Sequence, residues 1–137
     1  MNLFISLKSA LLSIPAVAAI VASDAHAPDP TTARIWNSWE RKNAYPCIIM
    51  DIDREAEQND LSGRGDLIIA EVTVTCRDNT HDGSDALQQA VRAGLAGYSG
   101  DFQAVLDDTT HAEPPKGDGS TAHWYDHVMS FTMFWNE

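Results

Sequence analysis

Apolar residues near the start of the chain recur at a helical spacing. Every third or fourth position is apolar over the first turns, at Leu3, Leu7, Leu11 and Ile14. This period predicts an amphipathic helix. Pro15 interrupts the pattern but suits the first position of a new helix, so we expect a short second helical segment that runs to Val21.

A further amphipathic helix is predicted over residues 85–97. Its apolar stripe has the same helical spacing and comprises Leu87, Ala90, Val91, Gly94 and Leu95. In the preceding turn, Asp82 or Ser84 is a suitable N-cap. Gly97 or Gly100 can end the helix.

Alternation of apolar and polar residues marks the clearest strand, which runs from Leu67 to Cys76. Its even-numbered residues are all apolar, whereas positions 71, 73 and 75 are polar, which predicts a sheet with one buried face. Other apolar runs predict further strands over residues 34–39, 47–53, 102–106 and 123–135. The outer face of this sheet keeps Ile69 and Phe134 among several threonines, and such a moderately apolar face favours a partner.

These elements predict a single α+β domain over residues 1–137. In this fold two helices pack on one face of a mainly antiparallel four- to five-stranded sheet. Residues 27–33, with two prolines, are expected to form a linker. The polar segments 54–66 and 107–121, which are rich in turn residues, are expected to be long loops.

The charge balance is strongly acidic. Nine Lys and Arg residues face 20 Asp and Glu residues, which gives a formal net charge of −11. A general binder of the nucleic-acid backbone needs a basic face, so this class of protein is excluded. Docking on an anionic membrane surface is disfavoured for the same reason. Hydrophobic residues make up 44% of the chain, which is enough for an ordinary folded core.

Two patterns have the residue types of a metal site, but neither has the required arrangement. His123 and His127 are four residues apart, which pairs imidazoles on a helix but not on the strand expected here. Acidic residues occupy the four alternate positions from Asp51 to Glu57. In a calcium loop starting there, the sixth residue would be alanine and the twelfth serine, instead of glycine and glutamate. We interpret the histidine pair as a solvated strand entrance, that is, the solvent-exposed start of a strand. We interpret the acidic residues as the exposed end of another strand.

No catalytic motif stands out from this background. The chain has no Gly-x-Ser-x-Gly, no His-Glu-x-x-His and no phosphate-binding glycine loop. The triplet Arg64-Gly65-Asp66 is short enough to occur by chance. We therefore expect no catalytic residues, no bound cofactor and no metal ligands.

The two cysteines and the N-terminus leave two interpretations open. Cys47 and Cys76 both fall in predicted apolar strands, which favours two reduced thiols in the core. Alternatively, residues 1–27 are a secretory signal that ends in the cleavage motif Ala25-His26-Ala27. The protein would then be a small exported periplasmic domain with a Cys47–Cys76 disulfide.

Six segments spread along the chain have a recognisable order and spacing. They are Leu11–Val21, Arg34–Trp36, Tyr45–Ile49, Ala70–Cys76, Ala86–Leu95 and Phe131–Trp135. The first combines Ser-Ile-Pro with an Ala/Val-rich helical turn, and the last is an aromatic closing strand. Together they resemble the tail terminator, or tail completion, family of long-tailed phages and phage-derived gene transfer agents.

This resemblance implies a structural virion protein with no active site. Such a protein forms a ring, usually a homo-hexamer, that caps the head-proximal end of the tail tube. Its partners would be the tail tube protein and a neck or head-completion protein. The location would be the virion tail or neck, with the host cytoplasm during assembly and no membrane.

The resemblance also bears on the interior of the ring and on the N-terminus. Genomic DNA would pass through the lumen without specific binding, and a net charge of −11 suits a wall that repels it.

The family's opening helix favours the helical interpretation of residues 1–21 over a signal peptide. The expected contacts with other subunits or partners are Arg54, Glu55, Glu57, Arg64, Ile69 and Phe134.

Overall fold

The computed structural model describes residues 2–22, 33–38, 45–58, 67–112 and 124–136, and the side chains of all of these except residues 54–58. Within these ranges the chain forms three helices and five strands. The helices are α1 (Leu3–Leu12), α2 (Pro15–Val21) and α3 (His81–Ala96). The strands are β1 (Ile35–Asn37), β2 (Cys47–Gln58), β3 (Leu67–Asp78), β4 (Gln103–Ala112) and β5 (Tyr125–Asn136).

The strands form one mostly antiparallel sheet in the order β1-β2-β3-β5-β4. Only the short β1 runs parallel to its neighbour, β2. The long central strand β3 pairs with β2 on one side and with β5 on the other. The predicted α+β class and the mainly antiparallel sheet are therefore confirmed.

All three helices cover the same face of this sheet, which we call the inner face. Val72, Val74 and Met129 on the inner face are buried against apolar side chains of the helices. Leu7 and Leu11 of α1 and Val17 and Val21 of α2 have no exposed surface and belong to the same core. The predicted packing of helices on one face is confirmed.

The junction between α1 and α2 is sharp and lies against α3. Ile14 is the N-cap of α2, and Pro15 is its first residue, as predicted. The two helix axes are bent by 97° at this break. A Cβ atom added at Gly94 of α3 would overlap the side chain of Ile14, so the helices meet here because Gly94 has no side chain.

α3 begins earlier than its sequence predicts. Its first residue is His81, not residue 85, and the N-cap is Thr80 instead of Asp82 or Ser84. The Thr80 hydroxyl accepts a hydrogen bond from the amide of Gly83 at 3.1 Å, which satisfies one of the free donors of the first turn. Ser84 is then inside the helix and fully buried. The end at Ala96, with Gly97 as C-cap, agrees with the prediction.

Two segments predicted as loops are partly strand. β2 continues to Gln58 because its backbone pairs with β3 up to Leu67. β4 continues to Ala112 because it pairs with β5 up to Asp126. In both cases cross-strand hydrogen bonding overrides the weak strand propensity of polar residues. The rest of these predicted loops, residues 59–66 and 113–121, and the linker residues 27–32 lie outside the described residues.

Among the described residues, no single helix is long and apolar enough to cross a membrane, although α1 and α2 together pass that test by length and composition.

Candidate functional site

The outer face of the sheet, which points away from the helices, carries the predicted apolar contact residues. Ile69 of β3 and Phe134 of β5 are directly opposite each other in the register, and both are half-buried. On the edge strand β4, Val105 pairs with Thr132 and keeps 50% of its surface exposed. The two residues singled out from the sequence are therefore neighbours, and Val105 extends their apolar surface toward the sheet edge.

A shallow pocket adjoins this surface at the end of β5. It has a volume of about 300 Å³, and its lining includes Leu67, Phe102, Phe134 and Trp135. Phe102 is buried and stacks at a tilt on Tyr98, with 4.6 Å between the ring centroids. Aromatic side chains therefore form part of the pocket wall.

The structure describes the predicted charged contact residues only in part. Arg54 lies in β2 opposite Glu71, and Glu55 and Glu57 follow it in the same strand opposite Ala70 and Ile68. Their side chains are outside the described residues, as is the whole of Arg64.

The acidic alternation expected from Asp51 to Glu57 is interrupted by a bulge. The pairing of β2 with β3 shifts between Ile52 and Arg54, so Asp53 has no register partner. Its carboxylate instead accepts a hydrogen bond from the hydroxyl of Thr73 at 3.2 Å. The extra residue at this bulge interrupts the regular backbone alternation of β2 along the acidic stretch.

An ion pair lies on the outer face at the end of the sheet opposite to the pocket. The guanidinium of Arg77 donates two hydrogen bonds to the carboxylate of Asp126, at 2.7 and 2.8 Å. The side chain of Asp126 is only 8% exposed, and that of Arg77 15% exposed. The hydrogen bond to Asp126 raises the pKa of Arg77, which therefore stays charged. Trp124 covers the guanidinium at 4.5 Å from its ring centroid, in a cation–π contact.

Both cysteines are free and buried, as the first interpretation predicts. Ile48 pairs with Cys76 and Cys47 pairs with Arg77, so the two thiols lie on opposite faces of the sheet. Burial raises the pKa of the Cys47 thiol to about 11, and it also raises that of Cys76. Both side chains are therefore protonated, unreactive thiols at neutral pH.

A group of three imidazoles lies where the first turn of α3 meets the ends of β4 and β5. We call His81, His111, His127 and the adjacent Asp85 the histidine cluster. The ring centroid of His81 is 5.0 Å from that of His127, and the centroid of His111 is 5.9 Å from His81 and 6.0 Å from His127. His127 is buried, so its interpretation as a solvated strand entrance is wrong. The other predicted histidine, His123, lies outside the described residues.

Hydrogen bonds to β3 and α3 fix the buried imidazole of His127. The Ser84 hydroxyl donates to the backbone carbonyl of Cys76 at 2.7 Å and lies 2.8 Å from Nδ1 of His127. The other ring nitrogen of His127, Nε2, lies 3.7 Å from Oδ1 of Asp85.

This arrangement does not form a nucleophilic triad, although serine, histidine and aspartate are adjacent. The Ser84 hydroxyl is fully buried and already donates its proton to a carbonyl, whereas a nucleophilic serine must donate to its base. Burial lowers the pKa of His127, so the ring is neutral near pH 7. Among the residues that the structure describes, no group of three or more His, Cys, Asp or Glu side chains could hold a metal ion.

The histidine cluster is not visible in the sequence, because its members come from three separate segments. His111 and His127 pair directly across β4 and β5, whereas the sequence predicts a loop at His111. His81 is the first residue of α3, whereas the sequence predicts a turn there. Correct bounds for β4 and α3 would have brought all three together.

No protein-family model matches the chain, and no curated protein matches it significantly.

Proposed function

We infer that this protein is a structural ring subunit that caps the head-proximal end of a phage-type tail tube and joins it to the neck. The observation that carries this proposal is the agreement between the six resembling segments and the fold. In chain order these segments lie in or at the start of α1 and α2, β1, β2, β3, α3 and β5. A resemblance made of short patterns gains weight when each pattern occurs in an element of the expected kind.

The exposed parts of the sheet suit a ring. A closed ring needs two different surfaces on each subunit, which meet head to tail. The long strand β4 offers one such surface, since it lies at the edge of the sheet formed by the described residues and exposes Val105. The outer face with Ile69 and Phe134 continues directly from it.

The acidic composition of the chain is a second, separate support for the same proposal. A net charge of −11 gives a lumen wall that repels the DNA phosphates, so DNA can pass without binding. A density map of the assembled ring with a lumen lined mainly by Arg and Lys would contradict this part of the proposal.

The alternative, an exported domain with residues 1–27 removed, finds less support. It would lose α1 and α2, whose residues Leu7, Leu11, Val17 and Val21 are fully buried in the core. Its disulfide would join two thiols on opposite faces of the sheet. Intact mass measurement separates the two proposals, because the alternative requires cleavage after Ala27 and the loss of two hydrogen atoms on oxidation of the two thiols to a disulfide.

The test uses the two large aliphatic side chains that are most exposed among the described residues. Val105 on β4 is 50% exposed and Ile5 on α1 is 62% exposed, so neither supports the core strongly. We expect the untagged protein, mixed with its tail tube protein during polymerisation, to give tubes of limited length with a ring at one end. Val105→Glu should abolish the capping rings, whereas the matched control Ile5→Glu should keep them.

Electron microscopy of tube length and native mass spectrometry provide the readouts. Tubes that grow to the same length with and without the wild-type protein would contradict the proposal. Equal loss of capping in both variants would show that the β4 edge is not the contact.

A further inference from the structure

The histidine cluster is a contact between three elements that is made by imidazole rings, and it does not depend on the proposed tail function. The ring of His81, the first residue of α3, lies edge-on to the rings of His111 on β4 and His127 on β5, with centroids 5.9 and 5.0 Å away. His111 and His127 are stacked at 6.0 Å. The His81 ring also meets Tyr125 of β5 edge-on at 6.1 Å. The start of α3 therefore contacts both strands through side chains of the type that changes charge between pH 5 and 8.

The three rings differ in their access to water. His127 is buried, whereas His81 and His111 are exposed. The fully buried hydroxyl of Ser84 lies 2.8 Å from Nδ1 of His127. A positive charge on either outer ring can be hydrated, but a charge on His127 loses most of its hydration. Proton uptake by the cluster is therefore opposed most strongly at its buried member.

Two carboxylates near His127 favour its protonated form. They belong to Asp85 of α3, whose Oδ1 lies 3.7 Å from Nε2 of the ring, and to Asp126, the preceding residue on β5. Asp126 is already paired with Arg77 of β3. The carboxylate of Asp85 also accepts hydrogen bonds from two glutamine amides of α3, at 3.2 and 2.8 Å. Both carboxylates therefore have other donors, which limits their attraction for a charged imidazole.

The other neighbours of His127 do not favour a charge on it. Burial lowers the pKa of His127 below its ordinary value of 6.5, and His81 on α3 and His111 on β4 lower it further. Cys76, its partner on β3, has a thiol whose pKa is raised by burial, so this thiol is neutral. The carboxylate of Asp82 lies 3.9 Å from His81 but is fully exposed, so water screens it. Proton uptake in mild acid therefore places like charges on neighbouring rings.

We propose that the histidine cluster is a pH switch, which holds the first turn of α3 on the ends of β4 and β5 at neutral pH and releases it in mild acid. Neutral rings attract each other in the edge-on and stacked arrangements found here. A ring that binds a proton from solvent becomes a cation, and cations at these separations repel each other. Repulsion then replaces attraction at the same contacts, so the first turn of α3 separates from both strands.

The direction of the pH dependence follows from the lowered pKa of His127. An unfolded chain binds a proton at this histidine at about pH 6.5, whereas the folded chain binds it only at lower pH. This group therefore stabilises the folded state fully above about pH 6.5. That stability is lost as the pH falls from about 6.5 toward the folded-state pKa.

Nuclear magnetic resonance titration of the histidine rings in the untagged full chain tests the cluster directly. Between pH 7.5 and 4.5, we expect His127 to titrate with a midpoint below about 6.5. In the double variant His81→Ala/His111→Ala this midpoint should rise by at least about 0.3 pH unit, because two neighbouring charges are removed. Thr110→Ala is the matched control and should leave the midpoint unchanged, since Thr110 is exposed beside His111 but pairs with Val128. A wild-type midpoint at or above 6.5, or an equal midpoint in the double variant, would overturn the proposal.

Hydrogen exchange at pH 7.5 and 5.0 shows where the molecule opens. The readout is the protection factor, which is corrected for the intrinsic effect of pH on exchange. We expect the amide of Ser84, which bonds to the carbonyl of Thr80, to lose protection by at least about tenfold at pH 5.0. The amide of Val74, in the central strand β3, should change by less than about twofold.

The variants complete this second measurement. The acid-induced loss of protection at Ser84 should shrink to less than about threefold in His81→Ala/His111→Ala and should persist in Thr110→Ala. No loss at Ser84 in the wild type would overturn the proposal. An equal loss at Ser84 and Val74 would also overturn it, because acid would then destabilise the whole domain instead of releasing the first turn of α3.

Discussion

At the residue scale, the polar groups that we expect to contribute most to stability are buried and have more than one interaction partner. Asp126 accepts two hydrogen bonds from Arg77, and the indole of Trp124 covers the guanidinium. Ser84 joins a helix to two strands through the carbonyl of Cys76 and the ring of His127. Such groups are costly to disturb, since the partner left behind stays buried.

Removal of the charge of Asp126 should therefore destabilise the protein strongly. In Asp126→Asn the guanidinium of Arg77 keeps its burial but loses its carboxylate. We expect the free energy of unfolding to fall by about 2–3 kcal/mol, somewhat less than for a fully buried pair. Chemical denaturation monitored by tryptophan fluorescence gives this value.

Asp101→Asn is the matched control, because Asp101 is exposed and should change stability by less than about 0.5 kcal/mol. A loss at Asp126 no larger than the control would mean that the ion pair contributes little.

At the element scale, the close approach of α3 to the α1–α2 junction depends on one glycine. A Cβ atom at Gly94 would overlap three atoms of the Ile14 side chain. At Gly97, one turn later, the nearest atom to an added Cβ is the Ala93 carbonyl oxygen at 3.9 Å, an ordinary contact. The two positions therefore differ in the space available to a side chain.

Gly94→Ala should lower the free energy of unfolding by about 1–3 kcal/mol, because the added methyl overpacks the core. Gly97→Ala, the control, should stay within about 1 kcal/mol of the wild type. Thermal unfolding followed by circular dichroism measures both. Equal midpoints for the two variants would show that Ile14 moves aside at no cost.

Most elements of this fold could be predicted from the sequence, and the errors have physical causes. The alternation in β3 and the helical spacing in α1 and α3 are local patterns, so they were predicted correctly. The extensions of β2 to Gln58 and β4 to Ala112 depend on pairing with distant strands, which polar composition does not reveal. The same limit applies to the histidine cluster, which exists only when β4 reaches His111.

At the scale of the whole molecule, the two N-terminal helices are part of the core and not an appendage. Four of their side chains have no exposed surface, namely Leu7, Leu11, Val17 and Val21. Burial of each such side chain contributes about 1.5–3 kcal/mol. Their sum is comparable with the whole stability of an ordinary domain, about 5–15 kcal/mol.

A chain that begins at Ser23, after an initiating methionine, should therefore fail to fold cooperatively. Near-ultraviolet circular dichroism and a thermal scan should show neither fixed aromatic packing nor a sharp transition. The same experiment bears on the exported alternative, in which a chain shortened at Ala27 is the functional form. A sharp transition above about 45 °C, as in ordinary folded domains, would contradict our expectation.

The strand order has a consequence for synthesis of the protein on the ribosome. β5 is the last strand along the chain, yet it lies inside the sheet between β3 and β4. Until β5 has left the exit tunnel, β3 has one unpaired edge and β4 has no partner in the sheet. Such edges recruit strands from other chains. Completion of the fold therefore waits for translation of β5, and a nascent chain that ends before β5 exposes the strand edges that β5 covers in the folded protein.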